Sequence, residues 1–287
     1  MHDALRVDVP ASRAAFAVFH ERLGRRIDRL AHELDRLQID AVFSNVAYVP
    51  LLAARQSGRP AWACCSLNWA DIYANYLGWD AIQATMQAAY AGATAFFQPA
   101  PSMPMDWLAN RCAIGPLARH GRRCRQEIAA ALQIDAAAYW GLVGMGGFGW
   151  QAPADFLPRR AGHFWLLPED WPGPLREDQR RFSASRYDFM DLLASSDGLL
   201  TKPGYGSFVE AATLGLDVLY VPRPDWPESP ALTRWVHAHT RAAAVSVSGD
   251  GVAAALLNMA TLPRPPVPRA DGAGAIAEGI LSGRCAR

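Results

Sequence analysis

The chain has 287 residues, 51% of them hydrophobic and 19% charged, with a formal net charge of +1. This is ordinary globular composition, long enough for one large domain or two medium ones. The near-neutral balance supplies no bulk field toward nucleic acid or an acidic membrane; no basic stripe carries interleaved aromatics, and no apolar run approaches membrane-span length.

From Ala11 to Leu37, apolar residues recur at helical spacing (Phe16, Phe19, Leu23, Ile27, Leu30, Leu34, Leu37), which predicts one long amphipathic helix. Ile39 to Ser44 reads as a short buried strand, and Leu51 to Gln56 as a helix stopped by Gly58 and Pro60. Ala61 to Leu67 and Thr94 to Phe97 are further strands, separated by an Ala-rich helix at Ala81 to Ala91. A Pro-rich loop from Pro99 to Pro104 and a break at Gly115-Pro116 precede a helix from Arg122 to Leu132. A fresh unit opens at Ala138 with a strand running into Gly144-Met145-Gly146-Gly147. Strands are expected at His163 to Leu167, Asp197 to Thr201, Asp217 to Val221 and Ala243 to Val247. Helices are expected at Asp188 to Ala194, Ser207 to Leu214, Pro230 to Ala238, Val252 to Ala260 and Ala273 to Leu281. This alternation predicts an α/β protein of two Rossmann-like halves with parallel sheets, divided as 1–136, 137–268 and a C-terminal helical segment at 269–287.

Five cysteines (Cys64, Cys65, Cys112, Cys124, Cys285) have no paired spacing, which predicts reduced thiols rather than a disulfide framework. Neither clustered Cys/His pairs for zinc nor an Asp-x-Asp motif for a divalent ion occurs, so no metal site is expected. The polar start at Met1-His2-Asp3 does not read as a signal peptide, and a cytoplasmic location is expected.

The strongest chemical element runs from Asp197 to Glu210: a buried strand, the turn Lys202-Pro203-Gly204-Tyr205-Gly206, then a helix from Ser207. Glycines allow close backbone approach, and a helix N-terminus offers N–H groups and partial positive charge to a phosphate. Lys202, the one lysine among 28 basic residues, can add a full charge to a diphosphate. Glu210, about one turn past Ser207, can accept both hydroxyls of a ribose. A capping box between Ser207 and Glu210 is the competing structural reading. Gly146 and Gly147 sit in a strand-end loop where a phosphate-facing turn belongs, although the loop is not a G-x-G-x-x-G fingerprint and also reads as a plain glycine turn. In Val221 to Glu228, Asp225 and Glu228 are rim carboxylates able to hold sugar hydroxyls, with Arg223 nearby; a Pro-stiffened loop anchored by Trp226 is the alternative. Asn68, Trp69 and Asp71 follow a strand end and face a cleft on the same argument, while Asn68 and Asp71 are also good helix caps.

The stretch from Asp191 through Glu210, with Ala211, Gly215 and Pro222, resembles the donor-binding half of GT-B glycosyltransferases. It is similar to the branch containing the glycosyltransferase-like domain of arabinokinases and, more distantly, to MurG-type transferases. Ser66 to Tyr73 is similar to a Trp-Asp segment of the same branch. The resemblance covers about Leu37 to Val247. It implies a nucleotide-sugar donor substrate and no separate cofactor: ribose on Glu210, diphosphate on the Gly146-Gly147 and Gly204-Tyr205-Gly206-Ser207 backbones, and donor sugar at Asp225 or Glu228. Asn68, Trp69 and Asp71 would then lie on the acceptor side. Two departures stand out. Many relatives carry histidine where this chain has Lys202, and nothing before Ala11 matches the family's Gly-rich opening loop, which often supplies the catalytic base. The resemblance thus implies that the N-terminal half is incomplete, by roughly two strand–helix units. The implied activity is metal-independent glycosyl transfer to an acceptor, with the leaving diphosphate stabilised by helix N–H groups and Lys202. A non-catalytic nucleotide-sugar-binding or partner domain, and a GT-B-fold sugar-nucleotide epimerase, are the alternatives.

Overall fold

The computed structural model describes residues 5–146, 156–183, 186–247 and 250–283. Two helices, α1 (Val9–Glu21) and α2 (Leu23–Arg36), lead into strand β1 (Val42–Asn45) and helix α3 (Tyr48–Gln56). Strand β2 (Ala61–Cys64), helices α4 (Trp69–Leu77) and α5 (Ala81–Ala91), and strands β3 (Ala95–Pro99) and β4 (Arg111–Ile114) complete a parallel sheet ordered β1-β2-β3-β4. Helix α6 (Arg125–Leu132) opens the second half. It is followed by β5 (Tyr139–Val143), β6 (His163–Pro168), β7 (Gln179–Phe182), α7 (Phe189–Ala194), β8 (Gly198–Thr201), α8 (Tyr205–Thr213) and β9 (Asp217–Tyr220). Then come α9 (Ser229–His239), β10 (Ala242–Ala244), α10 (Gly251–Ala260) and α11 (Gly272–Ser282). The second sheet is also parallel and runs β10-β9-β8-β5-β6-β7.

The central strands are apolar on both faces because helices cover both. In β5, Trp140 and Leu142 enter one core while Val143 enters the other. Leu199 and Leu200 of β8 divide likewise, and in β2 Ala61 and Ala63 face away from Trp62 and Cys64. This is the period-two alternation of a doubly covered sheet. Each large side chain so buried contributes about 1.5–3 kcal/mol.

After the N-terminal segment, whose Leu5 packs on the second-sheet core while α1 packs on the first, the described chain crosses between the halves twice more. The first of these crossings is 115–124; the second, 261–271, returns α11 to the first sheet, where Ile276 and Ile280 pack on Trp62, Phe97 and Cys112. The crossings touch: the Gly272 N–H donates to the Pro116 carbonyl at 3.1 Å, and a Cβ on Gly272 would stand 2.2 Å from the Gly115 carbonyl oxygen.

The α/β, parallel-sheet expectation holds, with four differences of detail. The long N-terminal helix is two, broken at Arg22 (φ −110°, ψ 11°); its apolar spacing runs on through the break because Phe16, Phe19, Leu23 and Ile27 all meet the same core. Helix α4 was foreseen only through the helix-cap alternative for Asn68 and Asp71, with no bounds. Strands β4 and β7 were not expected: both are edge strands, and Arg111, Arg180 and Arg181 interrupt any apolar run, as edges require. Cys112 is disulfide-bonded, so the expectation of reduced thiols throughout fails there, whereas Cys64, Cys65 and Cys124 are free. Among the described residues no helix is long and apolar enough to cross a membrane.

Candidate functional site

In the second sheet the chain winds outward from β5 to β7, then returns to β8 on the other side of β5. The carboxyl ends of β5 and β8 therefore flank a topological switch point, where loops diverge and leave a crevice. The loops from these two ends are tied together. The Gly144 N–H donates to the Leu200 carbonyl at 2.9 Å, and the Thr201 hydroxyl donates to the Gly144 carbonyl at 2.6 Å. Gly144 has no room for a side chain, since a Cβ there would lie 2.8 Å from the Phe189 ring. Gly146 adopts φ +75°, a conformation that favours glycine.

Helix α8 begins directly after the β8 loop. Its N-cap is Gly204, and no side chain caps it. Ser207 lies within the first turn rather than at the cap, so the Ser207–Glu210 capping box does not form. The first-turn N–H groups of Tyr205, Gly206 and Ser207 thus face a cavity of about 490 Å³ with their partial positive charge. That cavity is also lined by Gly144, Met145, Gly146, Trp171, Phe182, Phe189, Glu210 and Arg119. Glu210 is 7% exposed, and its Oε1 accepts a hydrogen bond from Arg119 Nε at 3.1 Å.

A second cavity, about 540 Å³, lies against the carboxyl ends of the first sheet, at Asn45, Cys64, Cys65, Ser66 and Pro99. It shares Arg119, Tyr205, Gly206 and Glu210 with the first, so the two form one cleft between the sheets. Tyr205 braces this junction: its hydroxyl accepts from the Leu117 N–H at 2.8 Å and donates to the Ala100 carbonyl at 3.2 Å. Burial raises its pKa and keeps it a neutral phenol.

Glu228 also lines the second cavity and is 3% exposed. Ser66 Oγ donates to its Oε1, and the Trp226 indole N–H donates to its Oε2 at 3.2 Å. Burial raises its pKa above the usual carboxylate value; the two donors and Arg223 oppose that shift without overcoming it. The folded chain therefore binds this proton more readily than the unfolded chain, and stability falls as pH rises from the ordinary Glu range through the raised pKa. Glu228→Gln should raise the melting temperature at neutral pH by about 2–4 °C, with the gain shrinking toward pH 4.5. Thermal melts of both proteins across that range are the check; a gain constant with pH would refute the assignment.

The other sequence-nominated residues separate. Lys202 stands beside Gly146, its Nζ 3.1 Å from where a Cβ would be, and is not among the residues lining either cavity. Burial and then the nearby Arg223 lower its pKa. Arg223 is buried, donates to the Leu5 carbonyl at 3.1 Å and stacks 4.1 Å from the Trp226 ring centroid. Asp225 is exposed and offers its carbonyl to the Tyr76 hydroxyl at 2.8 Å. Asn68 caps α4, accepting from the Asp71 N–H at 2.8 Å, and Asp71 takes the Trp107 indole N–H at 3.0 Å. Trp69 lines a separate apolar cavity with Phe16, Tyr73, Tyr76 and Trp226. Arg223, Asp225, Asn68, Trp69 and Asp71 line neither half of the cleft. Gly147 lies outside the described residues. Arg119, Trp171, Phe182 and Phe189 were not foreseen, and no local spacing marks them, because distant segments bring them together. Among the described residues no group of three or more His, Cys, Asp or Glu is placed to hold a metal ion.

No family profile and no curated protein sequence matches the chain. Solved structures do. Arabidopsis thaliana UGT89C1 complexed with UDP superposes with TM-score 0.61 at 15% identity, over 92% of this chain and 74% of that one. UDP-GlcNAc 2-epimerase from Neisseria meningitidis bound to UDP-GlcNAc gives 0.60 at 14% identity, over 92% and 82%. The glycotransferase of kitacinnamycin gives 0.59 at 16% identity, over 99% and 80%. At these identities the likeness is one of fold, and with both sheets parallel and a cleft between their carboxyl ends, the chain has the two-domain, Rossmann-like GT-B fold.

Proposed function

We propose that the cleft binds a nucleotide-sugar and that the protein transfers its sugar to an acceptor without a divalent metal. The observation carrying this reading is the uncapped N-terminus of α8 facing the Gly144–Gly146 loop across a switch-point cavity, with buried Glu210 on the same wall. The diphosphate lies against the N–H groups of Tyr205, Gly206 and Ser207, with Gly146 and Lys202 beside it. Glu210 receives the ribose hydroxyls, and the flat groups Trp171, Phe182 and Phe189 enclose the base. The sugar reaches into the second cavity, toward Glu228. When the bond from the anomeric carbon to the diphosphate oxygen breaks, negative charge grows on that oxygen. The α8 N–H groups stabilise it directly and Lys202 through its charge beside Gly146, and that stabilisation is the catalytic contribution. A donor-binding half at 137–268, with α6 packed on its core, and a cytoplasmic location belong to the same proposal. UDP and UDP-GlcNAc in the Arabidopsis and Neisseria structures support it.

A second reading, sugar-nucleotide epimerisation, draws on Glu228. A buried carboxyl with raised pKa, hydrogen-bonded to Ser66 in the sugar cavity, is suited to moving a proton on the sugar. The likeness to epimerase structures favours it as well. Calorimetric titration of the full chain with UDP- and dTDP-sugars tests binding; product analysis by NMR then separates the readings. Transfer releases nucleoside diphosphate in the presence of an acceptor, whereas epimerisation keeps the nucleotide and inverts one sugar carbon. Saturable binding with neither product would identify a non-catalytic binding domain. No saturable binding to any nucleoside diphosphate-sugar would refute the proposal.

A further inference from the structure

Arg119 is the one cationic side chain lining either half of the cleft among the described residues, and it lines both. It belongs to the first crossing between the sheets, not to either sheet. Its side chain is 73% exposed and, among the described residues, is held by one hydrogen bond, Nε to Glu210 Oε1 at 3.1 Å, which leaves the rest of the guanidinium fork available. Glu210 is in the opposite condition, its side chain 9% exposed. Its carboxylate curls back over the first turn of α8, with Oε2 3.7 Å from where a Cβ on Gly206 would be. A buried carboxylate needs a donor, and here a nearly free arginine supplies it.

The charge available to a diphosphate elsewhere in the cleft is small. Each phosphoryl group of a sugar diphosphate carries a negative charge, while the α8 N-terminus offers about half a positive one. Lys202 stands off the cavity wall and is disfavoured as a cation by burial and Arg223. A planar guanidinium with free parallel N–H groups matches a phosphate better than any other group present. Resting on the nucleotide-sugar reading above, we propose that Arg119 is a diphosphate-binding residue that exchanges its contact with Glu210 for the phosphates when ribose hydroxyls take over Glu210. Binding then ties the inter-sheet crossing to α8 through the ligand.

The test compares uridine, UMP and UDP binding to the full-length parent, Arg119→Ala and Arg119→Lys by calorimetry, with thermal melts confirming that each variant folds. Arg119→Ala should weaken UDP at least 10-fold and leave uridine within about 2-fold, since the transferred contact is to phosphate. Arg119→Lys should fall between, retaining charge without the fork. Equal losses for uridine and UDP would mean that Arg119 acts only by holding Glu210, and unchanged UDP affinity would mean that it does not reach the phosphates; either overturns the inference. If the parent itself binds none of the three, the underlying nucleotide-sugar reading fails instead.

Discussion

Replacing Glu210 with alanine should lower affinity for a UDP- or dTDP-sugar about 100-fold, while inorganic pyrophosphate binds at least as tightly as it does to the parent. Hydrogen bonds to a charged group contribute about 1.5–3 kcal/mol each, and a ribose diol makes two of them, so a loss of two orders of magnitude is the lower end of what the carboxylate supplies. The opposite response of pyrophosphate follows from the ion pair. Glu210 pairs with Arg119, and its removal leaves that guanidinium available to a ligand without ribose. Titration of both proteins with both ligands is the check. Equal affinity for the nucleotide-sugar would sink the ribose assignment, and parallel losses for both ligands would point to a damaged fold.

Lys202→Met should make the empty protein more stable and the bound protein weaker. The ammonium is half-buried, forms no ion pair among the described residues and has Arg223 as a charged neighbour, and both burial and that neighbour lower its pKa. For a lysine whose folded pKa is depressed, the unfolded chain binds the proton more readily. The penalty is therefore fully present below the folded pKa and is relieved as pH rises from there toward the ordinary 10.5. An isosteric apolar residue removes the penalty at neutral pH, and a gain of about 2–4 °C in melting temperature is expected. The same change should weaken a nucleoside diphosphate by up to about 10-fold, because a positive charge beside the Gly146 loop is lost. Melting temperatures with and without UDP measure both at once. A variant that is less stable when empty would show that Lys202 is a structural residue rather than one held in reserve for an anion.

Much of the molecule is legible in the sequence for a physical reason. Central parallel strands are buried on both faces, so Ala61 to Cys64, Gly198 to Thr201 and Asp217 to Tyr220 are compact, nearly continuous apolar runs. The segment from Thr201 to Glu210 is the clearest case. Strand, turn, uncapped helix and buried carboxylate all lie within one short stretch and need no distant partner to be recognised. Where two roles share one side chain, local reading does not choose between them. Asn68 and Asp71 have the chemistry of a sugar site, but that chemistry also caps a helix, and the cap is what forms. Asp225 and Glu228 look equivalent on one loop, yet the fold exposes the first and buries the second against Ser66. Arg119 could not be found locally, since its significance comes from a partner 91 residues away.

The paired crossings at 115–124 and 261–271 have a mechanical consequence. A single connection would let one half swivel about any direction, whereas two connections that touch at Pro116 and Gly272 restrict that swivel to the line they define. The cleft lies beside that line, and Arg119 projects into it from the first crossing. Hydrogen bonds from Ser66 to Glu228, Tyr76 to Asp225 and Tyr205 to Ala100 span the halves as well, so the gap between the sheets is held at several points besides this spine. The close packing of Gly115 and Gly272 is what keeps the spine thin.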